Sequence, residues 1–274
     1  MSLEAPRPKG YVSGKGLGRL RERLSERDLR IVEQVCELRL MSARQIEAIH
    51  FTASEHDNPQ AAARARQRVL RRLVKDGLLS RLERRIGGVR AGSAGFVFAP
   101  SALAHRLLRP ERSPRREYEP TVRFVDHTLA VAQLLVDLTR AARRGALDLL
   151  EAQAEPRCWR EFSTLGGRQT VRPDAFVAVG IGDYVWSWFC EIDRGSESVP
   201  VILRKCRLLA DYRQTGIEQT KHDGTFPRVC WLVPDETRAE RLQRAIAADR
   251  HLPERLFTVA TSEQAVAVLC GGTP

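Results

Sequence analysis

The chain has 274 residues, with 45 Lys and Arg against 34 Asp and Glu and a formal net charge of +11, and its longest apolar runs last only a few residues. A bilayer span needs roughly 20 apolar residues and a secretory leader needs an apolar core; neither is found, so a cytoplasmic protein with no membrane partner is expected. The six cysteines (36, 158, 190, 206, 230 and 270) form no CxxC pair, which suits reduced core thiols better than disulfides or a zinc site.

The length favours two domains, and the charge divides between them. Residues 1–120 hold 25 Lys and Arg against 14 Asp and Glu, a balance of +11, whereas residues 121–274 hold 20 of each. A basic half joined to a neutral half implies that the first meets a polyanion and the second does something else.

In chain order, residues 1–22 are rich in Gly, Pro and Arg and read as a disordered basic arm that could lie along DNA. Ser25 with Asp28 gives a capping signal for a helix over 25–38, and Ser42 with Gln45 repeats it before a short second helix. A third helix is expected over 59–75, ended by Gly77. On it, Ala62, Ala65, Val69 and Leu73 form a packing stripe, and Arg64, Arg68, Arg71 and Lys75 form a cationic one on the far side, with Arg72 beside it. LLSRLERRI and GFVFAP then read as two strands around a Gly-rich tip, placing Arg84, Arg85 and Arg90 on a hairpin. Three helices and a basic hairpin over 23–108 make a winged helix-turn-helix, whose third helix would enter the major groove of double-stranded DNA while the hairpin touches backbone or minor groove. The competing reading of a single charge run is a solvated helix face.

RPERSPRREYEP, with three prolines, marks a linker over 109–120. From 121 to 274 a long helix starting at Asp126 and ending at Gly145 precedes strands in LDLLEAQAE, VRPDAFVAV and YVWSWFCEID, a helix in VPVILRKCRLLADYR, and then strand, helix, strand and a short terminal helix.

The order helix, three strands, helix, strand, with Asp174 in an RPD step and Glu191 two residues before Asp193, resembles the PD-(D/E)XK nuclease-like fold, a three-layer restriction-endonuclease-like αβββαβ domain. More narrowly, RQIEAIHF, RVLRRLVKDGLLSRLERR, DHTLAVAQLLVDL, RPDAFVAV, EIDRGSES and RKCRLLADYR resemble the replication-relaxation family of actinobacterial plasmids and integrative elements, over about residues 25–250. That resemblance implies a role in plasmid replication, DNA relaxation or transfer, with replication or relaxosome proteins as partners. Winged helices of this size often act as dimers, which keeps a homodimer among the expectations.

A nuclease of this kind needs two carboxylates to hold Mg²⁺ and usually a Lys that helps place the attacking water. Asp174 and Glu191 fit the metal role, but Asp193 stands where the Lys is expected. Three readings follow: Lys205 on the next helix supplies the amine, Asp193 adds a further metal ligand, or the fold is inactive and Asp193 pairs with Arg194. No cofactor is needed in the last case. His127 is weighed as a contributor from the long helix, and Tyr184, Trp186 and Trp188 as bases' stacking partners, with core packing the commoner role. No Walker loop or relaxase-type histidine cluster is present. The competing functions are a Mg²⁺-dependent nickase or endonuclease and a transcriptional repressor.

Overall fold

The computed structural model describes residues 12–51, 58–82, 95–109, 122–164, 166–222 and 224–273. The chain is mixed α/β and forms two compact units that meet at Val136 and Asp137. That boundary falls inside a helix, not in the proline-rich segment around residue 115; residues 110–121 lie outside the described ones.

The first unit runs α1 (Gly14–Arg23), α2 (Glu26–Leu38), β1 (Met41–Ser42), α3 (Ala43–His50), α4 (Pro59–Lys75), β2 (Leu79–Leu82), β3 (Val97–Pro100), α5 (Ala102–Leu108) and the first part of α6 (Val122–Arg143). The expected disordered arm is corrected in part. Ser13 caps α1 and Leu20 is buried beneath it, so residues 14–23 are helical; residues 1–11 are not described. Both capping boxes are formed, by Ser25 with Asp28 and by Ser42 with Gln45, and these fix where α2 and α3 begin.

α4 ends as the sequence dictates. Gly77 adopts φ +77°, its N–H reaches the Val74 carbonyl at 3.0 Å, and the Leu78 N–H reaches the Leu73 carbonyl at 2.9 Å. These two bonds make a Schellman turn, which sends the chain directly into β2. β2 and β3 pair antiparallel, and β1 adds to the other side of β3. The tip between them, with Arg84, Arg85 and Arg90, lies outside the described residues.

α6 starts at Val122, so Asp126 is inside it and is not its cap, and His127 does not open it. Its early residues belong to the first unit: Val125 and Leu129 pack with Leu40, Leu82 and Val97, and the Gln45 side chain donates to the Leu129 carbonyl at 2.8 Å. Apolar faces drive this assignment, because a helix buried on several sides takes partners wherever they are.

The second unit holds β4 (Asp148–Ala154), β5 (Arg160–Thr164), β6 (Gly167–Val171), β7 (Ala175–Ile181), β8 (Tyr184–Ile192), α7 (Val199–Gln214), β9 (Arg228–Val233), α8 (Glu236–Ala248), β10 (Phe257–Thr261) and α9 (Ala265–Leu269). One sheet runs in the order β10-β9-β8-β7-β4; the β4–β7 and β7–β8 pairs are antiparallel, and the β8–β9 and β9–β10 pairs are parallel. The stretch expected to be one strand, VRPDAFVAV, is divided: Val171 ends β6 of a separate β5–β6 hairpin, and Ala175 begins β7. Pro173 explains the break, since it has no N–H to give a ladder. Trp188 is buried and its indole N–H donates to the Leu269 carbonyl at 3.0 Å, which makes it core and removes it as a stacking platform.

Candidate functional site

The cationic candidates gather on α4. Ala62, Ala65, Val69 and Leu73 are buried, while Arg64, Arg68, Arg71 and Lys75 are exposed. Among the described residues Arg64, Arg68 and Arg71 enter no ion pair, whereas Arg66 is paired with Glu47. Arg72 is set apart from the stripe. Its guanidinium reaches both oxygens of the fully buried Asp28 at 2.6 Å, so it ties α4 to α2 rather than standing ready for a ligand.

The carboxylate candidates lie at the end of the β7–β8 pair. Ala175 faces Cys190, and the Asp174 N–H bonds the Cys190 carbonyl at 3.0 Å, so continuing the register sets Asp174 directly across from Glu191. Opposite residues in such a pair share a face. Asp174 accepts a hydrogen bond from the Ile192 N–H at 2.7 Å and is 8% exposed; Glu191 is 2% exposed.

Lys205 on α7 completes this cluster. Its ammonium lies 3.4 Å from Glu191 Oε2 and 3.0 Å from Glu197 Oε1, over the Trp231 ring. Burial pushes the Glu191 carboxyl well above the ordinary carboxylate range, the charge of Asp174 adds to that, and Lys205 opposes both. Burial also disfavours the charged form of Lys205, but Glu191 and Glu197 outweigh it and hold the ammonium charged above its usual range.

Asp193 is engaged elsewhere. Its Oδ2 receives Arg238 Nε at 2.7 Å and its Oδ1 receives the Gly195 N–H at 2.8 Å, while Arg238 also donates to the Glu197 carbonyl at 2.6 Å. The ion-pair partner is therefore Arg238 of α8, not the neighbouring, exposed Arg194. Among the described residues no group of three or more His, Cys, Asp and Glu is arranged to hold a metal. Two opposed carboxylates do match what Mg²⁺ takes from a protein, since it keeps several waters and uses one or two carboxylates. The part of the Glu191 shift that comes from Asp174 is relieved by a cation beside the pair, and Lys205 supplies one. Asp174 and Glu191 are the residues that would hold a metal ion, and the ion would polarise a phosphate oxygen.

Residues 32–229, more than half of the chain, match the family described as replication-relaxation. The chain belongs to that family. No curated protein and no solved structure matches it. The replication-relaxation family associates the chain with replication and relaxation of mobile elements. No helix among the described residues is long and apolar enough to cross a membrane.

Two parts of this replication-relaxation protein escaped the sequence reading. One is the engagement of Glu197 and Arg238: EIDRGSES shows the glutamate, but only the folded loop brings it to Lys205. The other is Glu218, fully buried between α7 and β9, which accepts from Arg160 at 3.0 Å, from Lys221 at 3.0 Å and from the Tyr212 hydroxyl at 2.5 Å, with His222 at 3.3 Å. TGIEQTKH reads as a solvated loop, and no periodicity signals a buried acid there.

Proposed function

We propose that this is a DNA-binding protein acting in the replication, relaxation or transfer of a mobile element. In this reading the first unit is a winged helix-turn-helix and the second is a PD-(D/E)XK nuclease-like domain that serves assembly with replication or relaxosome proteins. The observation that carries it is the exposed stripe of Arg64, Arg68 and Arg71 on α4, opposite a buried apolar face and without ion pairs among the described residues. A helix so divided, following two capped helices and preceding a hairpin, has the form that enters a major groove. The +11 balance of residues 1–120 supplies the electrostatic footprint.

The test is binding of the full chain to duplex DNA from the cognate origin, followed by fluorescence anisotropy at several salt concentrations. Replacing Arg64, Arg68 and Arg71 with Gln is expected to weaken binding at least tenfold and to flatten the salt dependence. Unchanged affinity in the folded triple variant would refute the reading. A repressor would instead occupy its own promoter and leave copy number and transfer unaltered when the gene is lost.

A second reading, a Mg²⁺-dependent nickase or endonuclease, is favoured by one observation: Lys205 stands beside Glu191, where an amine could orient water near the two carboxylates. Asp174 and Glu191 would then hold the metal, Lys205 would place the water, and Asp193 would support the site through Arg238.

A further inference from the structure

We infer that α1 carries a second surface for the phosphate backbone of duplex DNA, formed by Lys15, Arg19 and Arg23. This rests on the DNA-binding reading of the first unit and extends it to an element with no part in the helix-turn-helix pattern. The three side chains recur at every fourth position, so they share about 80° of the helix circumference over about 12 Å of its length. All three are exposed. The other side of α1 turns inward through Leu20, and the chain continues into buried Leu24.

Some basic side chains of the first unit are spoken for: Arg27, Arg39 and Arg81 lie over the rings of Phe51, Phe124 and Phe96. Arg30, Arg66 and Arg72 are matched with Glu26, Glu47 and Asp28. Lys15, Arg19 and Arg23, like Arg64, Arg68 and Arg71, have no ion pair among the described residues. Cations four residues apart on a helix repel one another, and Lys15 lies in the first turn, where the helix dipole disfavours positive charge and no acid is present. Exposed Glu22 lies on the same side and offsets one of these charges, and Arg23 sits in the last turn, where the dipole favours a cation; the face keeps a balance of two positive charges for an external polyanion to neutralise.

α1 is also held in place. The Arg106 guanidinium donates to the Val12 carbonyl at 2.8 Å, and the Ser13 hydroxyl accepts from the Gly16 N–H at 3.2 Å. A Cβ at Gly16 would lie 2.9 Å from Val12 Cγ1, so the chain folds closely over the start of the helix. A membrane surface fits this element poorly, because interfacial helices bury an apolar face in lipid and that of α1 is spent on the fold. A regular row of phosphates needs only the cations.

The test uses the full chain with Lys15, Arg19 and Arg23 replaced by Gln, and Lys15→Gln alone as a milder variant, each checked by circular dichroism and thermal midpoint. Affinity is measured against salt on the origin duplex and on an unrelated duplex of equal length. Each lost phosphate contact should reduce the slope of log affinity against log salt by about 0.9, so the triple variant should lose between about 2 and 3 and the single variant about 1. Both duplexes should weaken by the same factor, since phosphate contacts carry no sequence information. A folded triple variant with the wild-type slope overturns the proposal. If the Arg64, Arg68 and Arg71 variant loses binding while the α1 variant keeps it, only the α1 surface fails. If the wild type binds neither duplex, both readings fall together.

Discussion

Lys205 of α7 places its ammonium 3.4 Å from the carboxylate of Glu191 on β8, and the same ammonium reaches Glu197 at 3.0 Å. A helix thus brings an amine to the acid on the strand, while Asp193, just past the end of β8, is committed to Arg238. The cluster is a buried acid, a second acid opposite it and one cation shared with a third.

The stability of this cluster should depend on pH through Glu191. Its folded-state pKa is raised, first by burial and then by Asp174, with Lys205 opposing. A carboxyl raised above its unfolded value favours the fold while it is protonated, and that contribution is lost as pH rises through the folded pKa. Lys205 limits the loss. Lys205→Met should therefore cost about 1–2 kcal/mol at pH 8, a figure reduced from that of a fully buried pair because the lysine side chain is 39% exposed. At pH 5, where Glu191 can take up a proton, the cost should be smaller. Urea denaturation at the two pH values checks this, and an equal loss at both would show that Glu191 is not the group Lys205 serves.

Asp193 and Arg238 should behave as a structural pair. The Asp193 side chain is fully buried and that of Arg238 is 13% exposed, so Arg238→Met leaves an acid without its cation and should cost about 3–5 kcal/mol. Asp193→Asn with Arg238→Met removes both charges and should recover much of that loss. The measurement is a double-mutant cycle by chemical denaturation, with a coupling of more than about 1 kcal/mol expected. Additive effects would leave Asp193 available as a metal ligand.

Glu218 predicts an acid transition. Burial by itself pushes its carboxyl up, but hydrogen bonds from Tyr212, Lys221 and Arg160 outweigh that and bring it down to about 2. A depressed pKa gives stability that is present above the unfolded value and lost as pH falls towards the folded one, so the window runs from about pH 4.5 down to about pH 2. Glu218→Gln should lower stability at pH 7 by about 2–3 kcal/mol and flatten this limb. Thermal midpoints across the window decide it: parallel curves for wild type and variant would remove Glu218 as the cause.

What the sequence discloses and what it hides differ by physical range. α2, α3 and α4 are written in local signals, because a cap, a 3.6-residue stripe and a terminal glycine act within a few residues. β7 and β8 are legible as apolar runs, although the break at Pro173 that leaves Asp174 ahead of β7 is not. Hidden were the β5–β6 hairpin, whose short polar strands resemble a loop, and α1, whose few apolar residues sit among Gly and Arg. The partners of Lys205, Asp193 and Glu218 were hidden for another reason. Each joins residues from separate elements, and nothing in the local pattern around an acid tells which helix will bring its cation.

The enzymatic question comes down to whether the Asp174–Glu191 pair accepts a metal ion in place of its internal cation. Three observations oppose turnover: both acids are at most 8% exposed, Lys205 already neutralises Glu191, and Asp193 is held by Arg238. Admitting Mg²⁺ would require displacing or repelling an ammonium that lies within 3.4 Å of a ligand oxygen, a contact that disfavours a second cation strongly in a low-dielectric site. The expected outcome is that supercoiled plasmid carrying the cognate origin stays intact with Mg²⁺, Mn²⁺ or EDTA while the protein still binds it. Nicking that needs the metal and disappears in Glu191→Ala would reverse this, and Lys205→Met would then separate the roles. Lost nicking with retained metal binding would make the lysine the group that places water, and faster nicking would make it the plug that keeps the metal out.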